Sequence, residues 1–432
     1  MPQKPESGFA ANPRPNKRAF CVEDSDVTGK ATRPKTLQLH PLFTKDTQSL
    51  ISSFRWSQPA LGRNKTCLYG ENLETNTHRK LATFDLDGTL INATFRRNKR
   101  KDGEVPWEWW NACIPQALKR LHDEGFSIII FSNQCINPTQ LVAWKHKIRS
   151  IANTLSDVPF RIFAATSKDE HRKPLPGMWK CLEDIYSNAG CEIDLAASFF
   201  VGDAAGRVND FADTDRKFSM NAGLRFFTPE EYFLKALPVH YKLTGFDVKT
   251  YPVNVPVVVP SSAPIIPITQ KREIVLFIGP PAAGKATFYH EYFPTKDYEY
   301  VKGNLDGCLQ AVERSCKNGM GCVVASANTD SKTRKQYVDL AMRLQCGVRC
   351  FVFSATIELA WHNNIYRAFC KPLLDQKYRN QCKLVPYATF TSFKDKYEEP
   401  TAREGFQEIR KVNWIFNGDE QEKIYWHMWL QI

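Results

Sequence analysis

The sequence runs to 432 residues, 43% hydrophobic and 12% aromatic, with a formal net charge of +12. That length suits two ordinary domains plus tails, and that composition excludes a chain too polar to bury a core. No apolar run approaches the ~20 residues of a membrane span, so no membrane partner is expected; the positive balance fits a polyanion such as nucleic acid, and equally a merely basic soluble enzyme.

Residues 1–75 are rich in Pro, Lys, Ser and Thr, with little periodicity, and read as a mostly disordered basic tail. They lack the apolar core of a signal peptide. Arg14-Pro15-Asn16-Lys17-Arg18 is a short basic cluster of nuclear-import type, so a nuclear location is expected, with a mitochondrial pool left open. Thirteen cysteines are scattered without a CxxC pair or zinc-finger spacing, which suggests free thiols in a reducing compartment.

From residue 76 to 240 short apolar runs alternate with helical stretches: LATFDL, Ile114–Glu124, FSIIIF, Pro138–Leu155, FRIFAA, Gly177–Ser187, SFFVGD. Runs of that length between helices predict a parallel sheet buried on both faces. Residues 241–271, with five prolines from Pro252 to Pro267, predict a semi-rigid extended linker. A second alternation over 272–432, opening EIVLFIG and continuing through YEYVKG, GCVVASA and VRCFVFSA, predicts a second parallel α/β domain.

Polar residues cluster where the first set of strands ends. Asp85 and Asp87 sit two apart at the exit of an apolar strand, before Gly88-Thr89. One carboxylate can attack a phosphoryl group while the other hands a proton to the leaving group. Such charge needs Mg²⁺ and a lysine beside it. Ser132, Lys173 and Asp203 stand at or near later strand ends and supply a hydroxyl, a cation and a further carboxylate. The strip Arg96, Arg97, Lys99, Arg100 and Lys101, followed by Trp107, Trp109 and Trp110, could hold a phosphate backbone and stack a base. A solvated loop ahead of a core aromatic cluster explains the same residues. In the second domain GPPAAGK, Gly279 to Lys285, joins an apolar strand to a helix as a P-loop does: backbone N–H groups cradle phosphates and Lys285 neutralises them. The hydroxyl that normally follows the lysine to hold Mg²⁺ is replaced by Ala286, and Thr287 comes one residue late, turned about 100° around the helix.

The ordered set Asp85-x-Asp87, Ser132, Lys173, Gly202-Asp203 resembles the haloacid-dehalogenase phosphatase superfamily. The resemblance implies a HAD-like Rossmannoid α/β sheet followed by a P-loop NTPase-type sheet. It makes Asp85 the nucleophile and Asp87 the acid/base, gives Mg²⁺ to Asp85, Asp87 and Asp203, and places Ser132 and Lys173 on the phosphoryl group. Lys173-Pro174, the run Phe200 to Arg207, Asp215 to Asn221 and Thr228 to Phe233 are similar to polynucleotide 3′-phosphatases. A P-loop domain behind them is the order of the animal polynucleotide kinase/3′-phosphatase family, over about residues 80–430. That resemblance implies DNA with 3′-phosphate ends at nicks, gaps and breaks as partner. It also implies ATP at Gly279, Gly284, Lys285, Thr287 and Arg367. Residues 1–60 are too short for the family's forkhead-associated docking module, and repair-protein partners are not specified.

Where the family's kinases carry an Asp base, this chain reads Gly303-Asn304-Leu305-Asp306-Gly307, leaving Asp306 as a doubtful substitute two residues away. A second acidic strand end reads Ala325-Ser326-Ala327-Asn328. The expectation is a 3′-phosphatase with a weak or inactive 5′-hydroxyl kinase. Full bifunctionality, or a P-loop domain that only binds DNA or nucleotide, are the alternatives. A small-molecule phosphatase fused to an unrelated kinase fits the superfamily motifs alone.

Overall fold

The computed structural model describes residues 53–92, 106–134, 136–252, 254–267, 272–378 and 383–431. In the first lobe seven strands, β1 (Phe54–Trp56), β2 (Cys67–Asn72), β3 (Lys80–Phe84), β4 (Phe126–Asn133), β5 (Phe160–Ala165), β6 (Phe199–Val201) and β7 (Arg225–Phe227), lie in the order β1-β2-β5-β4-β3-β6-β7. β5 to β7 are parallel neighbours across that order, and β2 closes one side antiparallel to β5. Helices α1 (Ile114–Asp123), α2 (Pro138–Thr154), α3 (Gly177–Asn188), α4 (Thr214–Asn221) and α5 (Pro229–Phe233) complete the lobe. Both faces of the central strands are covered, which is why LATF and IIIF could be uniformly apolar: Leu81, Ala82, Phe84, Ile129 and Phe131 are fully buried.

The expected tail through residue 75 is corrected for residues 54–72, which form β1 and β2 and belong to this sheet. Its polar residues conceal an edge. Phe54 and Cys67 are buried and Arg55 is exposed, while Glu71 is half-buried and accepts from Tyr69 at 2.6 Å and Thr75 at 2.7 Å.

In the second lobe β8 (Val258–Val259), β9 (Glu273–Ile278), β10 (Tyr298–Val301), β11 (Gly321–Val324), β12 (Gly347–Phe353) and β13 (Glu408–Val412) run in the order β10-β11-β9-β12-β13-β8. All but β8 are parallel. The helices are α6 (Lys285–Tyr292), α7 (Leu305–Lys317), α8 (Ser331–Leu344), α9 (Ile357–Ile365), α10 (Lys371–Leu374), α11 (Tyr387–Lys396) and α12 (Glu420–Trp426). A π-helical turn over Tyr366–Cys370 interrupts the helix expected over Ile357–Phe369. Glu273 of β9 is buried beneath Arg349 of β12, with Nε and Nη2 each 2.6 Å from its oxygens, and Tyr298 donates to it at 2.6 Å. A buried charge so fully paired fixes neighbouring strands in register.

The proline-rich segment is not a free spacer. β8 pairs with β13, and Arg410 donates to the carbonyls of Pro260, Ala263 and Pro264 at 2.6–3.1 Å. Arg349 takes the carbonyl of Ile265 at 2.9 Å. Prolines lack the N–H that a ladder needs, but their carbonyls accept freely, so two buried guanidinium groups organise the run. At the other end of the chain, Asn221 at the end of α4 bonds both Trp429 and the carbonyl of Pro174. Lys217 donates to the carbonyl of Gln431 at 2.9 Å.

Candidate phosphoryl-transfer site and P-loop cavity

β3 lies between β4 and β6, so Asp85 leaves the sheet between their C-terminal ends, its N–H bonded to the Val201 carbonyl at 2.9 Å. Lys173 approaches from the turn before α3, in a cis Lys173-Pro174 step. Asn133, the last residue of β4, accepts from the Lys173 N–H at 2.9 Å and donates to its carbonyl at 3.0 Å. The buried ammonium stands 2.6 Å from Asp85 Oδ1, 2.7 Å from Asp215 Oδ1 and 2.8 Å from the Phe131 carbonyl. Asp203 follows β6, and Asp215 lies in the first turn of α4 with Oδ2 accepting from the Ala204 N–H at 3.1 Å.

Asp85, Asp203 and Asp215 each bring one oxygen within 4.8 Å of the other two. Three hard oxygen ligands at that spacing suit Mg²⁺. Gly88, at φ 93°, leaves room there, because a Cβ would strike the Asp203 carboxylate. The electrostatics agree. Burial, opposed by Lys173 and reinforced by Asp215 and Asp203, holds the Asp85 carboxyl well above the usual range. Burial and then repulsion from Asp215 push Asp203 up to about 7. Lys173 rises to about 12, because attraction to Asp215 and Asp85 outweighs the burial that opposes its charge. The cluster holds more negative charge than one lysine neutralises.

The Asp87 side chain is placed apart from this trio. Its carboxylate is outside the cluster, accepting from Gln134 Nε2 at 2.7 Å and Lys147 Nζ at 3.1 Å. Both aspartates lie past the end of β3, where the strand's alternation no longer holds, and the Asp87 side chain meets Lys147 of α2. Gln134 also donates to Ser132 Oγ at 2.8 Å, tying the hydroxyl to the acid/base candidate.

In the second lobe a cavity of about 790 Å³ opens over the loop between β9 and α6. Gly284 caps α6 at φ 92°, and Gly279 lies against Phe353 so that a Cβ would stand 2.7 Å from it. Both positions need glycine for the chain to turn beneath a ligand. Lys285 donates to the carbonyls of Gly279 and Pro280 at 2.6 and 2.7 Å. Burial, with repulsion from Lys302 and Arg367, pushes its pKa down to about 7. A cation held among cations is prepared for polyphosphate.

The family model described as "Polynucleotide kinase 3 phosphatase" matches residues 80–233. A "Bifunctional polynucleotide phosphatase/kinase" of Schizosaccharomyces pombe is 34% identical over 372 residues, 84% of this chain and 85% of that protein. The chain belongs to the bifunctional polynucleotide phosphatase/kinase family. A "Putative bifunctional polynucleotide phosphatase/kinase" of Acanthamoeba polyphaga mimivirus is 27% identical, covering 78% of this chain and 85% of that one. The "Polynucleotide 3'-phosphatase ZDP" of Arabidopsis thaliana is 35% identical over 37% of this chain and 24% of its own length.

In this member of the family the structure brings Asp85, Lys173 and Asp203 together and links Ser132 to Asp87 through Gln134. Gly279, Gly284, Lys285, Thr287 and Arg367 all line the P-loop cavity, Thr287 together with Ala286. Asp306 does not line it and sits in the first turn of α7, whose cap Asn304 accepts from the Gly307 N–H at 3.1 Å. The carboxylates that do line the cavity are Glu291 and Glu422, the latter paired with Lys371 at 2.9 Å. Arg96, Arg97, Lys99, Arg100 and Lys101 lie outside the described residues. The tryptophans that follow them are partly buried: Trp107, Trp109 and Trp110 pack against the core, and the Trp110 backbone N–H donates to the Leu90 carbonyl at 3.0 Å. Lys147, in the middle of α2, is a site residue that the sequence does not single out, whereas the amides of Asn133 and Gln134 stand beside Ser132 where a phosphoryl oxygen could be held. Only Asn133 and Gln134, polar at the end of an apolar strand, carried a signal.

Proposed function

We propose that this chain is an Mg²⁺-dependent polynucleotide 3′-phosphatase acting on DNA strand-break ends, with a P-loop kinase lobe of weak activity. The observation that supports this most is the buried Lys173 bridging Asp85 and Asp215 beside Asp203. Mg²⁺ held by Asp85, Asp203 and Asp215 would offset phosphoryl charge. Asp85 attacks phosphorus through a carboxylate oxygen, forming an aspartyl-phosphate as the bond to the 3′-oxygen breaks. Asp87, held by Gln134 and Lys147, gives that oxygen its proton and later takes one from the water that hydrolyses the acyl-phosphate. Lys173 and Ser132 orient phosphoryl oxygens. Replacing Asp85 by Asn should abolish phosphate release from a 3′-phosphorylated nicked duplex while leaving the circular-dichroism spectrum unchanged; retained turnover would sink the reading.

For the kinase lobe, support comes from Ala286, Ala325 and Ala327 lining the cavity where Mg²⁺- and proton-handling groups are expected, and from Asp306 standing away from it. Transfer from labelled ATP to a 5′-hydroxyl end should be slow; robust transfer, lost on Lys285→Ala, would overturn this. Full bifunctionality is the second reading, favoured by Glu291 and Glu422 in the cavity and by the bifunctional relative from S. pombe. A nuclear location is proposed from the basic cluster at Arg14 to Arg18 and is testable by imaging the tagged full chain.

A further inference from the structure

The phosphatase chemistry leaves unused a second convergent group in the first lobe. Cys67 opens β2, His171 lies in the turn two residues before Lys173, and Cys181 sits on α3. Far apart in sequence, they meet because β2 pairs with β5 and the chain leaving β5 folds back over that edge. Each brings one ligand atom within 4.8 Å of the other two. Cys67 and His171 are buried, while Cys181 is partly exposed.

The surroundings are those of a ligand set. His171 Nδ1 stands 3.3 Å from Asp169 Oδ1 and 3.4 Å from Thr66 Oγ1, and the ring rests on Gly62, where a Cβ would strike it. A carboxylate that holds one imidazole nitrogen while the other faces a cation is the usual outer support of a metal-binding histidine. Asp169 adds an independent observation. It is 7% exposed, and its Oδ2 is buried with no hydrogen-bond partner. A bare buried carboxylate oxygen beside His171 is costly, and positive charge reaching it through that imidazole compensates it.

We infer that Cys67, His171 and Cys181 form a binding site for a thiophilic divalent cation of the Zn²⁺ type, with water completing the tetrahedron and Asp169 supporting His171 from outside it. Zn–S bonds of about 2.3 Å and Zn–N bonds of about 2.0–2.1 Å put tetrahedral ligand atoms roughly 3.5–4 Å apart, so closing this trio takes a movement of about 1 Å. Two thiols deprotonate on binding, and their protons leave to solvent. The ion would tie the start of β2, α3 and the turn leading to Lys173 together. Sulfur ligation separates this site from the all-oxygen cluster at Asp85.

The test uses the reduced full-length chain, stripped with a chelator and titrated with Co²⁺ alone. Thiolate ligation gives an intense thiolate-to-Co²⁺ charge-transfer absorption, which oxygen ligands cannot produce. That band should saturate at one ion per chain, disappear on adding Zn²⁺, and persist in excess Mg²⁺. It should be lost in Cys181→Ser, whose folding is checked by circular dichroism and gel filtration; the titration of the unsubstituted chain stands even where the variant does not fold. No band in the reduced protein, or a band unchanged in a folded Cys181→Ser, overturns the site. So does a Cys67–Cys181 disulfide in the freshly isolated protein, which would make the pair a redox couple.

Discussion

Asn221 and Trp429 form a closed two-bond pair: Nδ2 donates to the Trp429 carbonyl and Oδ1 accepts its N–H, both at 2.8 Å. The same amide donates to the Pro174 carbonyl at 2.8 Å, one residue from Lys173. One side chain thus ties the end of the chain to the turn that presents the active-site cation. Asn221→Ala leaves backbone groups unpaired and should cost about 1–3 kcal/mol by urea unfolding. It should also lower phosphatase turnover several-fold. Turnover unchanged at full folding would show that the contact does not position Lys173.

The carboxylate cluster predicts a coupling between Mg²⁺ and pH. Asp203 is raised to about 7 from 3.8, so between those values the folded state holds a proton that the unfolded chain has released. Stability therefore falls as pH rises through that window, and the loss is complete above 7. A divalent cation favours the ionised carboxylate and restores what was lost. The gain in melting temperature from Mg²⁺ should be larger at pH 8 than at pH 6. Equal gains would remove Asp203 from the ligand set.

Asp87 and Asp85 should respond differently to the leaving group. Asp87→Asn is expected to slow release from a 3′-phosphorylated oligonucleotide by about 10²–10⁴-fold, the usual worth of general-acid help. On p-nitrophenyl phosphate, whose leaving group needs no proton, the loss should be far smaller. Asp85→Asn should abolish both. A uniform loss in Asp87→Asn would make Asp87 a ligand or scaffold residue instead.

His362 on α9 gives the second lobe an acid-sensitive point. Burial holds its pKa down at about 4 against 6.5, although a hydrogen bond to the Trp426 carbonyl at 2.7 Å favours the proton. Nε2 is the donor in that bond, so a second proton on the buried, unpartnered Nδ1 would have no acceptor. The unfolded chain takes up a proton below 6.5 and the folded one only near 4, so stability drops as pH falls through that interval. The full effect is on the order of 3 kcal/mol. His362→Gln should flatten the acid limb of a stability–pH curve, and an unchanged limb would place the sensitivity elsewhere.

The apolar runs in the sequence located most strands because a parallel sheet covered on both faces leaves no alternation to misread. β1 and β2 were missed because an edge hairpin is short and half polar, and composition there resembles an unstructured tail. Asp85 and Asp203 were legible since each follows an apolar run, while Lys173, in a polar stretch past β5, was legible only through the ordered set of the resemblance. Asp215 stood in plain view, but its place in the cluster depends on how α4 packs beneath β6. Lys147 was invisible for the same kind of reason, since it projects from the middle of an ordinary amphipathic helix. The partnership of Cys67 with Cys181 needed the pairing of β2 with β5, which no local pattern carries.

Arg410 has a consequence for how an end would move between the two lobes. A flexible connector lets one module search for what its neighbour has just released, at a high effective concentration. Here three carbonyls of the connecting segment are already taken, and its Val258–Val259 strand pairs with the second sheet. A strand finished at one lobe is then expected to reach the other by dissociating and binding afresh. Unlabelled DNA added between the two steps should compete for it.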